Sequence, residues 1–389
     1  MLRTYRYLLR PRSDQEKTLT CMVEQHRRIY NLALEQRINV YKESGKGMTY
    51  HSQWKHFRDL RRDNPDTLGL VNVSSLQQTL RRLDKAYSAF FRRLKSGEKP
   101  GFPRFKSRNR FNTIEYTYGD GCTLRTSDNG RDTFYIQNVG EVRVCYHRSI
   151  PQNARMKHAC ITRRNERWYV SFAMDVPNTN VAREPTGRQV GVDVGLKNIA
   201  VLSTGACIEN PHWLRRNLAK LRRLQRHASR QVKGSMRQRK TYQHIARLHE
   251  HIEHQRRGYL HKESKRLVEA YDLIAIEDLA LAFMNRNRHL ALSSHDAGFG
   301  IFRHMLEYKA ESAGIPVVAV NPAHTSQACS GCGRIVPKDV SVRIHACSHC
   351  GLVLDRDVNA ARTILTLALR TPLGRSGQPV TWAVAPGVG

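Results

Sequence analysis

Acidic residues are scarce in this chain of 389 residues. Aspartate and glutamate together number 33 against 65 lysines and arginines, which leaves a formal net charge of +32 at pH 7. A charge of this size destabilises a compact fold through self-repulsion unless a polyanion is usually bound. The basic residues recur along the whole chain, so they favour a long nucleic-acid track over a solvated surface or a membrane-facing patch.

Long apolar runs are also missing. The start, "MLRTYRYLLRPRSDQEK", has no apolar core of signal-peptide length, and Glu277 and Asp278 interrupt the run "DLIAIEDLALAF". Nine cysteines, an odd number, suit a reducing compartment better than a disulfide framework. We therefore expect a protein that works inside the cell and makes no use of a membrane.

The pattern of the sequence changes along the chain. A short alternating strand is followed by a helical stretch over about residues 14–95, whose clearest helix is predicted to start at Ser75 with Gln78 in a capping box. Strand patterns over about residues 111–177 predict a small β-barrel or sandwich. The order then becomes strand, strand, long basic helices, strand, helix and strand, which indicates an α/β multidomain protein.

Basic and aromatic side chains of the first part are candidates for nucleic-acid contacts. The predicted helix carries arginines beside its apolar stripe, and the following loop alternates phenylalanine with basic residues, a mixture suited to base stacking beside phosphate contacts. An ordinary amphipathic helix and a loop anchored by its phenylalanines would look the same, so both interpretations stay open. The candidates are Arg81, Arg82, Arg92, Arg93, Phe102, Arg104 and Phe105.

Three acidic residues occupy special places in the second part. In "QVGVDVG" the valines alternate with Gly191, Asp193 and Gly195, so a strand would bury the valines and present Asp193 between glycines that let ions and substrate approach. Glu277 ends the apolar strand "LIAIE", where burial is costly without a cation. Asp357 opens the predicted helix "DVNAARTIL", a favourable place for a carboxylate.

Taken singly, each acid has an ordinary explanation. Asp193 could cap a turn, Glu277 could pair with an arginine, and Asp355 or Asp357 could cap the helix. Together, on strands one and four and on a later helix, they match the site of a two-metal nuclease. Magnesium prefers oxygen ligands and keeps bound water, and two ions about 4 Å apart stabilise the attacking and leaving oxygens of a phosphodiester displacement.

Two cysteine pairs predict a second metal site. "CSGC" contains Cys329 and Cys332, and "CSHC" contains Cys347 and Cys350. Four thiolates at about 2.3 Å close a tetrahedral zinc site, which leaves no open position and therefore stabilises a fold without taking part in catalysis. Reduced thiols or disulfides are the alternative.

These segments carry a resemblance to a known family. "GVDVGLKNIAVLS", "IAIEDL" and "DRDVNAARTIL", with the cysteine pairs just before the last, resemble the split RuvC-like nuclease of the TnpB family, transposon-encoded RNA-guided relatives of the type V CRISPR effectors. The resemblance implies Asp193, Glu277 and Asp357 as catalytic, magnesium-binding residues. Asp357 is preferred because the family's aspartate stands just before x-Asn-Ala-Ala, and Asp355 stays the alternative. Arg343 matches a family arginine that would contact the substrate backbone, and a plain surface arginine is the other interpretation.

The resemblance also implies the architecture. The expected fold is an RNase H-like (RuvC-like) nuclease with a zinc-ribbon insertion, plus a β-barrel wedge domain that carries an inserted helical recognition domain. The expected ranges are 1–12 and 106–184 for the wedge, 13–105 for the recognition domain, 185–324 and 353–370 for the nuclease, 325–352 for the ribbon, and 371–389 for a flexible tail.

The implied activity is RNA-guided DNA cleavage. The chain would bind a transposon-derived guide RNA and cut double- and single-stranded target DNA next to a short adjacent motif, by two-metal phosphodiester hydrolysis in the prokaryotic cytoplasm. The alternatives are an RNA-guided DNA-binding protein that does not cut and a non-guided nuclease of transposition. The guide, the adjacent motif and the oligomeric state stay open.

Overall fold

The computed structural model describes residues 2–126, 132–177, 184–279, 290–339 and 342–370. The chain divides into two units, Met1–Asn178 and Thr179–Gly389. The predicted flexible tail, 371–389, lies outside the described residues.

The first unit is built on one antiparallel sheet of seven strands. The first strand lies inside this sheet, between β7 and β5, and the order is β2-β6-β7-β1-β5-β4-β3. Alternating large apolar side chains of β1 and β7, Tyr5, Tyr7, Trp168 and Phe172 among them, form its buried core. The strands are β1 Leu2–Arg10, β2 Thr113–Thr117, β3 Cys122–Arg125, β4 Thr133–Ile136, β5 Gly140–Cys145, β6 Arg155–Arg164 and β7 Arg167–Asp175.

Three helices separate β1 from β2: α1 Ser13–Ser44, α2 Tyr50–Asp63 and α3 Val73–Lys95. They pack around a core of their own that includes Leu34, Phe57 and Leu80. The predicted apolar stripe of α3 is buried at Leu76, Leu80 and Leu83, partly buried at Tyr87 and Phe90, and exposed at Leu94.

The predicted start of α3 is wrong. The helix begins at Val73, because the Asn72 side chain caps it by accepting a hydrogen bond from the Ser75 amide at 3.0 Å. Gln78 does not close a capping box, since its amide donates to the Thr117 hydroxyl of β2 at 3.2 Å. A local cap by Asn72 therefore sets where this helix starts, whereas a long-range contact takes up Gln78.

The second unit has a five-stranded sheet in the order β10-β9-β8-β11-β12. β8, β11 and β12 are parallel neighbours, whereas β8, β9 and β10 pair antiparallel. The strands are β8 Gln189–Val194, β9 Asn198–Leu202, β10 Cys207–Glu209, β11 Leu273–Glu277 and β12 Val317–Val320, and β13 Ile344–Ala346 with β14 Val353–Asp355 forms a separate hairpin.

Helices cover both faces of this sheet. The helices are α4 Trp213–Ser229, α5 Met236–Ala270, α6 Ala291–Ala297, α7 Phe299–Ala313 and α8 Arg356–Arg370. One face packs on α5 and α7 through residues such as Leu260 and Phe302, and the other packs on α8 through Ile364 and Ala368. Among the described residues, every helix is too short or too polar to cross a membrane.

Candidate active site and metal centre

Strand β8 presents Asp193 on the face that α8 covers. Val190 and Val192 are fully buried on the opposite face, as the alternation predicts. Gly191 shares the face of Asp193, and a Cβ atom added there would stand 1.9 Å from the Ala361 carbonyl oxygen of α8. The absence of a side chain therefore lets the helix backbone touch the strand.

The expectation that both glycines leave room for ions and substrate is therefore wrong for Gly191, which is filled by α8. Gly195 does line the pocket that contains Asp193. The close approach at Gly191 has a different use: it sets the position of α8 and thereby of Asp357 in the first turn of that helix.

Glu277 ends β11, the parallel neighbour of β8. The Thr325 hydroxyl donates a hydrogen bond to Oε1 of Glu277, and Thr325 is itself buried. Burial raises the pKa of Glu277 above its usual range, and the Thr325 hydrogen bond opposes this shift. Thr325 thus orients the carboxylate.

Asp357 is held by two arginines. Nε and Nη2 of Arg356 both donate to Oδ1 of Asp357 at 3.0 Å, and Nη1 of Arg343 lies 3.7 Å from Oδ2. Arg343, predicted to contact the substrate backbone, is thus placed at a carboxylate of the candidate site. Arg356 places a second positive charge beside the same carboxylate.

Asp355 has a different position from Asp357. Its Oδ1 accepts hydrogen bonds from the amides of Asp357 at 2.8 Å and Val358 at 3.2 Å, so it caps the start of α8. Asp357 lines the pocket and Asp355 does not. The geometry therefore favours Asp357 as the metal ligand of the two.

One pocket of about 390 Å³ brings the three acids together from β8, β11 and α8. Burial is the main cause that raises the pKa of Asp193 to about 8, and the negative charges of Glu277 and Asp357 add to it. A divalent cation relieves the repulsion between closely spaced, poorly hydrated carboxylates. The cations that line the same pocket are Lys197, Lys338, Arg343 and Arg356.

The three carboxylates stand further apart than the cysteine thiols. Within the described residues, the four cysteines form the one acidic, histidine or cysteine cluster whose ligand atoms all lie within 4.8 Å of one another. A single ion would require such a tight cluster. Two ions about 4 Å apart allow a wider spread of ligands.

The cysteine cluster fits zinc. The Sγ atoms of Cys329 and Cys350 lie 3.5 Å apart, and those of Cys332 and Cys347 lie 3.7 Å apart. Bonds of about 2.3 Å to a tetrahedral ion give sulfur–sulfur separations of about 3.8 Å, whereas a disulfide would require about 2.05 Å. All four thiols are free, so the cluster could hold a metal such as zinc.

The predicted nucleic-acid residues of the first unit have mixed surroundings. The rings of Phe102 and Phe105 are 49% and 55% exposed, but Phe102 also packs edge-on against Tyr87 and Phe90, which supports the loop-anchoring interpretation for it. The guanidinium of Arg82 lies over the Phe111 ring. The arginines are exposed at Arg81, Arg82, Arg92, Arg93 and Arg104.

Several residues of the site were missed from the sequence, and three of them contact or accompany the predicted ligands. Thr325, Lys338 and Arg356 reach the pocket or its ligands through the tertiary fold. Only Arg356 had a signal, its position next to Asp357. The other two lie in loops whose sequence carries no metal-site pattern.

Comparisons with known families match three parts of the chain. Residues 299–364 match the Cas12f1-like TNB domain, residues 171–288 match a probable transposase family of IS605 OrfB proteins, and residues 1–46 match the helix-turn-helix domain of the same proteins. Within residues 2–46 this structure has one strand and one long helix, β1 and α1, so the name of the third family does not describe the local fold.

Two bacterial relatives match most of the chain. A provisionally named RNA-guided DNA endonuclease of Streptomyces pristinaespiralis is 33% identical over 377 residues, covering 94% of this chain and 89% of that protein. The relative InsQ of Escherichia coli strain K12, with the same provisional name, is 30% identical over 85% of this chain and 83% of its own length.

Two solved structures share the fold. Cas12f1 in its complex with sgRNA and target DNA superposes with a TM-score of 0.59 at 17% identity, covering 90% of this chain and 82% of that one. The mini RNA-guided endonuclease CRISPR-Cas phi3 superposes with a TM-score of 0.56 at 9% identity, covering 95% and 92%.

Proposed function

The chain belongs to the family of RNA-guided DNA endonucleases related to IS605 OrfB proteins, and from this we infer that it is an RNA-guided DNA endonuclease itself. The observation that carries the inference is the convergence of Asp193, Glu277 and Asp357 in one pocket, from three elements far apart in sequence. A binding protein without catalysis would have no use for three carboxylates that repel one another.

The three acids are the proposed magnesium ligands, for two ions. Bound magnesium would supply the charge that activates a water molecule and stabilises the attacking and leaving oxygens as a P–O bond of the DNA breaks. Thr325 holds Glu277 in the orientation for this role. Arg343 and Arg356 place guanidinium groups in the pocket, where their paired N–H donors suit the oxygens of a phosphodiester.

The architecture of the family supplies the domain proposal. The sheet order β10-β9-β8-β11-β12, with three parallel strands and α8 on one face, supports an RNase H-like nuclease over 185–324 and 353–370, with the zinc ribbon 325–352 inserted before α8. The place of β1 inside the first sheet supports a wedge domain that is interrupted by the helical recognition domain 13–105.

Binding of a guide RNA and a target DNA would account for the large positive net charge of the chain. An RNA scaffold and a guide–target heteroduplex present many phosphates, and base pairing supplies the sequence choice while the protein contacts backbone shape. For the first unit we keep the proposal that its exposed arginines and phenylalanines contact nucleic acid and that a short DNA motif beside the target is read there. The residues proposed are Arg81, Arg82, Arg92, Arg93, Phe102, Arg104 and Phe105.

The decisive experiment joins RNA sequencing with programmed cleavage. Protein purified from its host should carry RNA at about one molecule per chain, and the protein loaded with a redesigned guide should cut the matching DNA only with magnesium present. Asp193→Asn should lower cutting at least about 10³-fold, since it removes a metal ligand, while target binding persists. Cutting that needs no RNA would indicate a non-guided transposition nuclease, and guided binding without cutting in the unchanged protein would indicate a DNA-binding protein.

A further inference from the structure

A cation of the pocket, Lys338, differs from the arginines beside it. Arg343 and Arg356 both lie at the Asp357 carboxylate. Within the described part of the chain, Lys338 contacts no carboxylate at ion-pair distance, and its Nζ instead makes a hydrogen bond to Nδ1 of His345. Lys338 is only partly exposed and lines the pocket together with Asp193 and Glu277.

The partner of Lys338 is built to hold it without cancelling its charge. His345 is completely buried on β13. An ammonium has three donors and no acceptor, so Nδ1 of His345 is the acceptor for the Lys338 ammonium in this contact. The other ring nitrogen, Nε2, is buried and has no hydrogen-bond partner among the described residues. A buried ring therefore fixes the amine in place beside the pocket, where an anion can reach it.

The anion that this pocket would receive is the DNA backbone, if the proposed function holds. We propose that Lys338 is a catalytic residue whose ammonium contacts a non-bridging oxygen of the phosphodiester being cut, and that His345 is the positioning residue that holds it. Negative charge grows on those oxygens when water attacks phosphorus, so a fixed cation beside them stabilises the transition state more than the bound substrate. The zinc ribbon then contributes a side chain to the active site in addition to stabilising the fold.

The test measures single-turnover cleavage of target DNA, with the guide-loaded protein at a concentration that saturates the DNA. Lys338→Gln should slow cutting about 10²-fold, with target affinity and bound zinc unchanged, and Lys338→Arg should recover part of the loss because it keeps the charge. DNA in which sulfur replaces either non-bridging oxygen at the cut should show which oxygen Lys338 contacts. For that oxygen, the effects of the sulfur and of Lys338→Gln should be less than additive, which a purely structural role would not produce.

The matched control is Arg334, a cation of the same ribbon whose Nη1 lies 3.0 Å from Nδ1 of His349 outside the pocket. Arg334→Gln should cut like the unchanged protein. An unchanged rate in Lys338→Gln, or full additivity with both sulfur substitutions, would overturn the role of Lys338. If Lys338→Gln loses zinc, the test passes to Lys338→Arg that keeps its full zinc content. A cleavage rate of Lys338→Arg as low as that of Lys338→Gln would then overturn the proposal. Failure of the unchanged protein to cut with any guide would instead overturn the proposed function.

Discussion

The cysteine ribbon and the acidic pocket are two candidate metal centres with opposite properties. The ribbon takes its four ligands from one short stretch of chain, and the thiols already stand at the spacing of a tetrahedral zinc ion. The pocket collects the carboxylates of Asp193, Glu277 and Asp357 from β8, β11 and α8, and these three are more widely spaced than the thiols; Asp339 also lines the pocket.

The two centres differ in the type of their ligands and in the role that a bound metal would have. The ribbon offers four soft ligands and no open position, so a metal bound there would be part of the fold. In the pocket, burial raises the pKa of Asp193 and of Glu277, which are hard ligands, so a metal bound there would be exchangeable and would relieve the repulsion between charges. We therefore expect ribbon variants to lose stability first and pocket variants to lose activity first.

The largest effect on stability is expected from the ribbon. Cys329→Ser should abolish zinc binding and lower the free energy of unfolding on the order of 5 kcal/mol, because a buried structural ligand is lost. Metal analysis and thermal unfolding measure both. Cys207→Ser, an exposed cysteine outside the ribbon, is the control and should keep zinc. Retained zinc in Cys329→Ser would show that the ribbon is not a four-thiolate site.

The pocket should lose stability as the pH rises, because the carboxyl group of Asp193 is buried. The pKa of Asp193 rises from the ordinary 3.8 to about 8 in the folded protein. The stability linked to this group is therefore complete below about pH 4 and is lost as the pH rises through 8. Since one pKa unit corresponds to about 1.4 kcal/mol, magnesium-free protein should lose a few kcal/mol over that range.

The measurement is thermal unfolding against pH in the presence of a magnesium chelator, with Asp193→Asn as the control. The variant should show a shallower slope and should be more stable than the unchanged protein at pH 8. Added magnesium should restore the unchanged protein and not the variant. Equal slopes for the two proteins would contradict the crowding of charge around Asp193.

Substitution of Gly191 should lower both the stability and the cutting activity, because its contact with α8 sets the position of Asp357. Gly191→Ala places a methyl group 1.9 Å from the Ala361 carbonyl oxygen, so α8 must shift, at a cost of about 2 kcal/mol. The shift moves Asp357, and cutting should fall about 10²-fold. Gly258→Ala in α5 is the control: no atom stands within 4 Å, and it should gain about 1 kcal/mol with cutting unchanged. Normal cutting by Gly191→Ala would show that catalysis does not depend on the position that Gly191 gives to α8.

The smallest effect is expected at the helix cap. Asp355→Ala removes the acceptor for two amides of α8 and should cost about 1 kcal/mol while most of the cutting activity remains. Asp357→Asn should abolish cutting. Urea unfolding and cleavage assays on the two variants would compare them directly. Equal loss of cutting in both would assign a metal to Asp355 as well.

Much of the site could be predicted from local pattern. The alternation in β8 places Asp193 on one face, an apolar strand ends at Glu277, and the cysteine spacing brings four thiols together. Each of these depends on a few neighbouring residues, because strand alternation and metal knuckles are local rules.

The start of α3 at Val73 instead of Ser75 follows from a local cap by Asn72 that the prediction overlooked. Other features depend on distant partners: Gly191 proved to be a contact with α8 instead of an opening for ions. Thr325 and Lys338 carry no signal of their own, since their roles arise from Glu277 and His345, which lie elsewhere in the chain.

The amino-acid sequence alone establishes which chemistry is available: a surplus of positive charge for a polyanion, four thiols for one metal, and three carboxylates far apart in the chain for others. Only the packing of the chain settled whether Asp355 or Asp357 faces the pocket, which glycine touches a helix and which lysine of the pocket is held by a buried histidine. Residue types set what a group can bind, whereas the packing of β8, β11 and α8 sets the distances over which carboxylates repel and a metal can unite them.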